Sequence, residues 1–322
     1  MDNFVGRSDL IDGNLFVATP EAAAALRTIN ALRRTGKQAN YAECQLLMGP
    51  SGAGKTSIIR RFLRDFPAED TPTGLVQRVL YVESPTRCAT KPLAEAILAA
   101  LEDPNPARGT EAEMVARIIK QLAGQRTELL IIDEVNHVVA QSRAATYESA
   151  NFFKRLLNQT RCPILFAGLP EAFSLMENEQ LERRSRAVIR LEPYDWFKDG
   201  DCKTFRSIIR AFEQHFPPHI ASCDLSARNT AARLHFASLG LMGLLHRLLR
   251  SALLLTDERR LGAISLELLG EIYEDLALGF SDQRARCNPF RVKTLPDRWG
   301  LPTSTSNATR PRRMPKAARA VA

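Results

Sequence analysis

The sequence predicts a three-layer α/β fold with a parallel sheet, followed by a small all-helical domain. Between about residues 44 and 195, short apolar runs bounded by turn residues alternate with amphipathic segments of helical period. This alternation is the pattern of parallel strands joined by crossover helices. After Trp196 the runs typical of strands stop, and helical periods continue alone. A chain of 322 residues is long enough for one large and one small domain.

The apolar runs define five buried strands, which we predict at residues 45–49, 79–83, 129–133, 163–168 and 187–191. A helix over residues 20–34 precedes them, because Thr19 and Pro20 are typical of a helix start. Helical periods then recur near Phe205, over residues 241–255 and from Leu266 onward. The predicted organisation is an N-terminal extension and helix (1–40), an α/β domain (41–198), a helical lid (199–282) and a basic, flexible C-terminal tail (283–322).

Positive charge is concentrated in that tail. The chain carries 44 Lys and Arg against 36 Asp and Glu, a net charge of +8, and residues 281–322 contain ten basic and two acidic side chains. The preceding residues are therefore neutral overall. A basic segment attached to a neutral body predicts docking to a polyanion or an acidic partner, although a solvated face is the alternative. The basic residues nearest the terminus are Arg310, Arg312, Arg313, Lys316 and Arg319.

The six cysteines form no C-x-x-C pair, so the sequence favours neither a zinc site nor a disulfide framework. No apolar run approaches the roughly 18 residues of a membrane span, and the N-terminus lacks the pattern of a secretory signal. These features predict a cytoplasmic protein with reduced thiols and no membrane contact.

A phosphate-binding loop is predicted at residues 49–56, which match G-x-x-x-x-G-K-[ST] between an apolar strand and an amphipathic helix. In such a loop, backbone N–H groups and the helix N-terminus bind phosphates. Lys55 would reach the β and γ oxygens, and Thr56 would offer its hydroxyl to Mg²⁺. A chance glycine-rich turn is the alternative. The predicted nucleotide-binding residues here are Gly49, Pro50, Ser51, Gly52, Ala53, Gly54, Lys55, Thr56 and Ser57.

Two adjacent carboxylates end the third predicted strand, at Asp133 and Glu134. We predict that Asp133 holds Mg²⁺ through water, and that Glu134 orients and deprotonates the water that attacks the γ-phosphate. A strand that simply ends in a solvated acidic turn is the alternative. Together with the loop, these residues predict an enzyme that hydrolyses a nucleoside triphosphate.

Residues 130–196 resemble the TniB and TnsC type AAA+ ATPases, which select targets for transposons. In that family, an apolar strand that ends in acidic residues is followed by an Asn-x-x-Lys helix, a Gly-x-x-Glu-Ala turn and a Gln-Leu-x-x-Arg segment. The resemblance implies the AAA+ P-loop fold of the ASCE type, with a helical lid. The matching residues are Asn151, Lys154, Gly168, Glu171, Ala172, Gln180, Leu181, Arg184, Leu191 and Trp196.

The resemblance also implies a function. It implies a regulator that uses ATP and Mg²⁺, binds double-stranded DNA without sequence preference, and assembles as a homo-oligomer into rings or filaments. ATP would lie between subunits and stabilise the assembly, and hydrolysis would dismantle it. The implied partners are a transposase and a TniQ-like targeting protein.

Two arginines receive roles from the resemblance. Arg184 matches the arginine that reaches the nucleotide of a neighbouring subunit, although it lies in a run of three arginines that a solvated face would also explain. Arg247 follows the Gly-x-x-Gly turn at residues 240–243 and matches the lid arginine.

This chain departs from the family pattern at three positions. Ser185 follows the candidate arginine, where the family often has Phe. Asn136 and His137 stand in the reverse of the family's usual order. The tip of the fourth predicted strand, at residues 167–169, has no polar side chain to sense the γ-phosphate, which predicts slow hydrolysis.

Two polar loops are candidate DNA contacts, because affinity without sequence preference comes mainly from cations near phosphates. The first loop carries Arg87 and Lys91, in the region that the resemblance places at a DNA pore. The second carries Arg108 and Thr110. Thr110 with Glu113 also fits a helix capping box, and Lys91 also fits a solvated helix start.

Two other functions share parts of this pattern. One is an NTPase that switches a protein complex without binding DNA, whose turnover would be insensitive to DNA. The other is a replication initiator or helicase loader, which would co-purify with a helicase.

Overall fold

The computed structural model describes residues 16–36, 42–86, 89–139, 143–217, 219–220, 224–276 and 287–300. Arg87 and the basic residues of 310–319 lie outside the described residues, so their predicted contacts stay predictions.

A five-stranded parallel sheet forms the centre of the molecule, in the order β4-β5-β6-β1-β7. Strand β6 lies between β1, which leads into the predicted phosphate loop, and β5, which ends in the acidic pair. This is the arrangement of the ASCE type, and the predicted parallel α/β sheet is confirmed. The strands of this sheet are β1 Cys44–Met48, β4 Val79–Glu83, β5 Leu129–Asp133, β6 Ile164–Gly168 and β7 Ile189–Arg190.

Two local features differ from the sequence prediction. An antiparallel hairpin, β2 Glu69–Thr71 with β3 Gly74–Val76, was not predicted, because its strands have three residues each and are mostly exposed. Strand β7 is shorter than the predicted run 187–191, since only Ile189 and Arg190 pair with β1. The carbonyl of Ala187 instead accepts a hydrogen bond from Nε2 of Gln45.

Helices cover both faces of the sheet and complete three layers. One apolar core lies between the sheet and helices α3, α4 and α6, and the other lies between the sheet and helices α1 and α2. The helices of this part are α1 Pro20–Thr35, α2 Lys55–Leu63, α3 Thr90–Ala100, α4 Glu111–Gly124, α5 Asn136–Val139, α6 Arg143–Gln159, α7 Phe173–Met176 and α8 Glu179–Glu182.

The predicted N-terminal helix is confirmed as α1, and it belongs to these layers. Thr19 accepts a hydrogen bond from the backbone N–H of Ala22, with Pro20 in the first turn. Ile29 and Leu32 are fully buried against the second core. Helix α1 therefore covers one face of the sheet, together with α2.

In the described part of the chain after Trp196, four helices enclose a separate apolar core. They are α9 Asp199–Glu213, α10 Arg228–Ser238, α11 Met242–Glu258 and α12 Leu266–Leu276. The sequence did not predict α10, because every residue from Ala231 to Ser238 is buried and the helix therefore lacks an amphipathic period. Within the described ranges no single helix is long and apolar enough to cross a membrane, and the bent pair α10 and α11 has that length and composition only when joined.

Residues 287–300, which the sequence assigns to the flexible tail, instead pack on these helices. The buried guanidinium of Arg233 donates hydrogen bonds to the carbonyls of Pro289, Val292 and Lys293. The indole N–H of Trp299 donates to Nδ1 of His235, 3.0 Å away. Three carbonyls on one buried cation hold this segment against α10.

Candidate functional site

The phosphate loop leaves the carboxyl end of β1 and turns directly into α2. Gly52 and Gly54 have φ values of 80° and 96°, in the left-handed region that side chains other than glycine rarely adopt. Gly54 is the residue before the first turn of α2, and no side chain caps that helix. Backbone N–H groups at the start of α2 are therefore available to an anion, as the motif predicts.

Lys55 is folded over this loop. Its side chain is buried, and Nζ donates hydrogen bonds to the carbonyls of Gly49 and Pro50, at 2.7 and 3.1 Å. Burial lowers the pKa of Lys55, while the nearby carboxylates of Glu134 and Asp133 act in the opposite direction. The structure thus brings the predicted cation and both predicted carboxylates into one site.

Asp133 is held by three donors at the end of β5. Its Oδ2 accepts hydrogen bonds from the hydroxyls of Thr56 and Tyr81, at 3.1 and 3.2 Å, and its Oδ1 accepts one from the backbone N–H of Glu134, at 2.9 Å. The residue is 1% exposed. The predicted Mg²⁺ ligands Thr56 and Asp133 are therefore neighbours, and their hydroxyl and carboxylate oxygens suit a hard cation.

Tyr81 is a site residue that the sequence analysis missed. Burial and the adjacent Asp133 carboxylate raise the pKa of its phenol, so the hydroxyl stays protonated and donates to Asp133. Its position inside strand β4 carries no motif. Only the parallel pairing of β4 with β5 brings the two side chains together.

Glu134 follows Asp133 with a φ of 52°, in the left-handed region. A non-glycine residue in that conformation costs of the order of 1 kcal/mol and is concentrated at functional sites. In the described part of the chain, no hydrogen bond or ion pair holds its carboxylate. The side chain is only partly buried, so the carboxylate is available to a water molecule in front of the phosphate loop.

The end of β6 lies beside the same loop. The backbone N–H of Gly49 donates to the carbonyl of Gly168 at 3.3 Å. Residues 167–169 carry no polar side chain, as the sequence shows, but the side chain of Asn136 reaches this tip from α5. Its Oδ1 accepts a hydrogen bond from the backbone N–H of Leu169, at 3.3 Å. An amide is therefore present where the sequence predicted no polar group.

A cavity opens next to the phosphate loop, between the segment before α1, the start of α2 and the helices after Trp196. Its walls include Val17, Ser57, Tyr194, Leu241 and His246. The mixed apolar and polar lining suits a planar nucleobase attached to phosphates on the loop. Sequence reasoning missed this cavity, because its walls come from segments that are far apart in the chain.

Several polar side chains line that cavity, among them Tyr194 and His246. The hydroxyl of Tyr194 donates a hydrogen bond to Oε2 of Glu21. Nε2 of His246 is buried without a hydrogen-bond partner among the described residues, and burial lowers the pKa of this imidazole. The imidazole of His246 is therefore neutral at pH 7, and its Nε2 is buried in the wall of the cavity.

A backbone hydrogen bond joins the lid to the phosphate loop. The N–H of Gly243, in the first turn of α11, donates to the carbonyl of Gly52 at 2.8 Å. A side chain at position 243 would place its Cβ 3.0 Å from that oxygen. Arg247 lies four residues later and so continues the same helix face, with an exposed side chain. The predicted lid arginine is thus one turn from the loop.

Arg184 lies away from the phosphate loop of its own chain. Its carbonyl accepts a hydrogen bond from the N–H of Cys44, at the beginning of β1, whereas the loop starts after the end of this strand. Four steps along a strand separate the two ends by about 13 Å. This position does not serve the nucleotide of the same chain, and the role toward a neighbouring subunit stays a prediction.

The candidate DNA contacts Lys91 and Arg108 are both exposed, near the beginnings of α3 and α4. The hydroxyl of Thr90 donates to Oε2 of Glu111 at 2.6 Å, which joins these two helix starts. Thr110 forms the capping box with Glu113 that the sequence offered as its alternative role. The hydrogen bonds from Thr110 lower the pKa of the Glu113 carboxyl.

Comparisons with known proteins agree with this fold. The family described as bacterial TniB protein matches residues 7–195, more than half of the chain. ClpL, an ATP-binding subunit of the ATP-dependent Clp protease of Lactococcus lactis, is 25% identical over 154 residues, which are 46% of this chain and 18% of ClpL. The chain therefore matches less than a fifth of the length of that relative.

Among solved structures, the Aeropyrum pernix ORC1 protein in complex with DNA has a TM-score of 0.61 at 19% identity, over 84% of this chain and 69% of that one. The Aeropyrum pernix ORC2 protein, in ADPNP and ADP complexes, has a TM-score of 0.61 at 15% identity, over 86% and 73%. Cdc6p from Pyrobaculum aerophilum has 0.62 at 13%, over 85% and 72%. These structures establish the AAA+ fold, and the family match over residues 7–195 establishes that the chain belongs to the bacterial TniB family and is an AAA+ ATPase.

Proposed function

We propose that this protein is an ATP-dependent regulator of DNA transposition, which binds double-stranded DNA without sequence preference. It oligomerises on target DNA as a ring or filament, and recruits or activates a transposase. The observation that carries the proposal is the joint placement of Lys55, Thr56, Asp133 and Glu134 around one loop, in a chain of the TniB family. We also propose a cytoplasmic location and a TniQ-like targeting protein as a second partner.

ATP binds with its phosphates on the loop and its base in the adjoining cavity. The N–H groups at the start of α2 and Nζ of Lys55 bind the phosphate oxygens, for which Lys55 exchanges its present contacts with Gly49 and Pro50. Thr56 and Asp133 hold Mg²⁺, which neutralises negative charge on the phosphates when it is bound. Tyr81 keeps the Asp133 carboxylate in place.

Hydrolysis uses the carboxylate of Glu134, which accepts a proton from the attacking water. The contact between Gly243 and Gly52 links the lid to the loop, so the lid position depends on what the loop binds. Arg184 of a neighbouring subunit compensates charge in the transition state, and Arg247 contacts the nucleotide from the lid. ATP thus stabilises the assembly, and its hydrolysis dismantles it.

The similarity to ORC1, whose structure contains DNA, also favours a replication initiator or helicase loader as a second candidate function. The two functions differ in the partner that they recruit. Co-purification with a helicase would favour the loader, and co-purification with a transposase would favour the regulator of transposition.

Electron microscopy of the purified protein with linear duplex DNA tests the proposal directly. With a slowly hydrolysed ATP analogue we expect rings or filaments on DNA, and with ADP we expect none. The absence of DNA-bound particles in either state, with ATPase activity intact, would instead favour an NTPase that switches a protein complex.

Removing the exposed cations Lys91 and Arg108 is expected to weaken DNA binding. Log affinity falls as log salt rises, and each phosphate contact that is lost makes this negative slope less steep by about 0.9. The double variant K91A/R108A should therefore bind duplex DNA more weakly whatever the DNA sequence. Its salt dependence should be less steep by up to about 2. Fluorescence anisotropy across a salt series, with the slowly hydrolysed analogue bound, measures both quantities.

Lys120 provides the matched control for this experiment. It is an exposed cation on α4, far along the helix from Arg108. We expect K120A to keep the wild-type affinity and salt slope. Equal slopes for the double variant and K120A would remove Lys91 and Arg108 from the DNA surface.

A further inference from the structure

The side chain of Asn136 occupies the tip of β6, where this chain has no polar residue of its own. The backbone N–H of Leu169 donates to the side-chain oxygen of Asn136. Since an N–H needs an acceptor, this contact fixes the amide orientation and leaves Nδ2 as the free end. Within the described ranges Nδ2 has no hydrogen-bond partner, and Asn136 is only partly buried.

Gly168 makes room for this amide. A Cβ at position 168 would lie 3.1 Å from Oδ1 of Asn136 and 3.0 Å from Cβ of Ala172, both tighter than ordinary contacts. The glycine at the strand tip and the asparagine on the neighbouring turn are therefore complementary. Gly168 has no side chain at the tip of β6, and the side-chain amide of Asn136 lies there instead.

A short series of contacts connects Asn136 to the phosphate loop. Oδ1 of Asn136 packs on Gly168, the carbonyl of Gly168 accepts from the N–H of Gly49, and the carbonyl of Gly49 accepts from Nζ of Lys55. Asn136 is also two residues after Glu134, whose carboxylate is available to water. The free Nδ2 thus belongs to the same edge of the sheet as the groups that surround the terminal phosphate.

The adjacent histidine does not compete for this position. Nδ1 of His137 lies 3.3 Å from the carbonyl of Ser84, beyond the end of β4, on the other side of β5. The residue order Asn136-His137 therefore directs the amide toward β6 and the imidazole toward β4.

We propose that Nδ2 of Asn136 donates a hydrogen bond to the γ-phosphate of bound ATP, and so distinguishes ATP from ADP at this site. The inference rests on the proposed ATPase function. It adds that the sensing amide comes from α5, after β5, and that Gly168 admits it to the tip of β6.

The variant Asn136→Asp isolates the donor. Its carboxylate still accepts from the N–H of Leu169, but it cannot donate to a phosphate and it repels one. We expect ATP turnover to fall about 10- to 100-fold, because a hydrogen bond to a charged group is lost. The preference for ATP over ADP should fall by a similar factor, with ADP affinity within about twofold of wild type.

The experiment measures turnover, the affinities for ATP and ADP, and the thermal midpoint of the full chain. Asn136→Ala provides a second variant, which removes both ends of the amide and should lose the same preference for ATP. His137→Ala removes the neighbouring polar side chain and is the matched control, which should keep the wild-type preference.

Three results separate the explanations. Wild-type turnover and preference in Asn136→Asp would overturn the inference. Equal losses of ATP and ADP affinity with a lower thermal midpoint would also overturn it, because they would indicate a purely structural role. A wild-type protein that hydrolyses ATP but forms no assembly on DNA would contradict the proposed function, while the result for Asn136 would stand on its own.

Discussion

Replacement of Glu134 with Gln is expected to leave ATP bound and to lower turnover by about 10²- to 10⁴-fold, the usual contribution of a general base. The substitution keeps the size of the side chain but removes the carboxylate that accepts a proton from water. The backbone N–H of residue 134 still donates to Asp133, so the Mg²⁺ ligands are undisturbed. Because ATP then persists, assemblies on DNA should last longer than those of the wild type.

Steady-state phosphate release and the lifetime of DNA-bound particles measure this prediction. Glu267→Gln is a matched control, since it neutralises an exposed carboxylate on α12, in the lid. It should turn over ATP at the wild-type rate. Rapid turnover by Glu134→Gln would show that another group accepts the proton from water.

The parts of this molecule that the sequence predicted well are those in which one segment carries the whole signal. All five residues of β1, β5 and β6 are buried, so each strand is visible as a short apolar run. The phosphate loop follows β1 directly, and the acidic pair begins with the last residue of β5. Their functional residues are therefore fixed by position relative to a strand, and the fold brings them together as expected.

The parts that the sequence did not predict depend on contacts between distant segments. Tyr81 contacts Asp133 because β4 and β5 pair in parallel. Asn136 reaches the tip of β6 because Gly168 has no side chain. Helix α10 was missed for a different reason, since residues buried on all sides show no period. The cavity beside the phosphate loop was missed for the first reason, because it joins α1, the loop and the lid.

The boundary between lid and tail illustrates the same limit. The sequence places the boundary near residue 283, and its composition changes from Asn288 onward. A single buried cation, Arg233, and the indole of Trp299 nevertheless hold residues 287–300 on the lid. His235 also donates from Nε2 to the carbonyl of Tyr194, a residue that lines the cavity beside the phosphate loop. These contacts thus connect that cavity to residues 287–300, which precede the basic residues of 310–319. Composition alone contains no sign of them.

Lys55→Ala is expected to have the largest effect on nucleotide binding. Among the described residues, Nζ of Lys55 is the side-chain cation that contacts the carbonyls of Gly49 and Pro50 at the start of the loop. Each hydrogen bond to a charged group contributes about 1.5–3 kcal/mol, so the loss of contacts to two phosphates should raise the Kd for ATP by at least about 100-fold. Assembly on DNA with the ATP analogue should disappear as a consequence.

A fluorescent ATP analogue titrated against the variant measures the loss, and the thermal midpoint without nucleotide shows whether the fold is kept. Arg61→Ala is the matched control, because it removes a cation of the same helix that pairs with Asp65 at the surface. Such exposed pairs contribute little to stability, so this variant should bind ATP normally. Normal ATP affinity in Lys55→Ala would contradict the assignment of this loop to phosphate. Lost affinity with an unchanged thermal midpoint would establish that the buried ammonium serves the ligand rather than the fold.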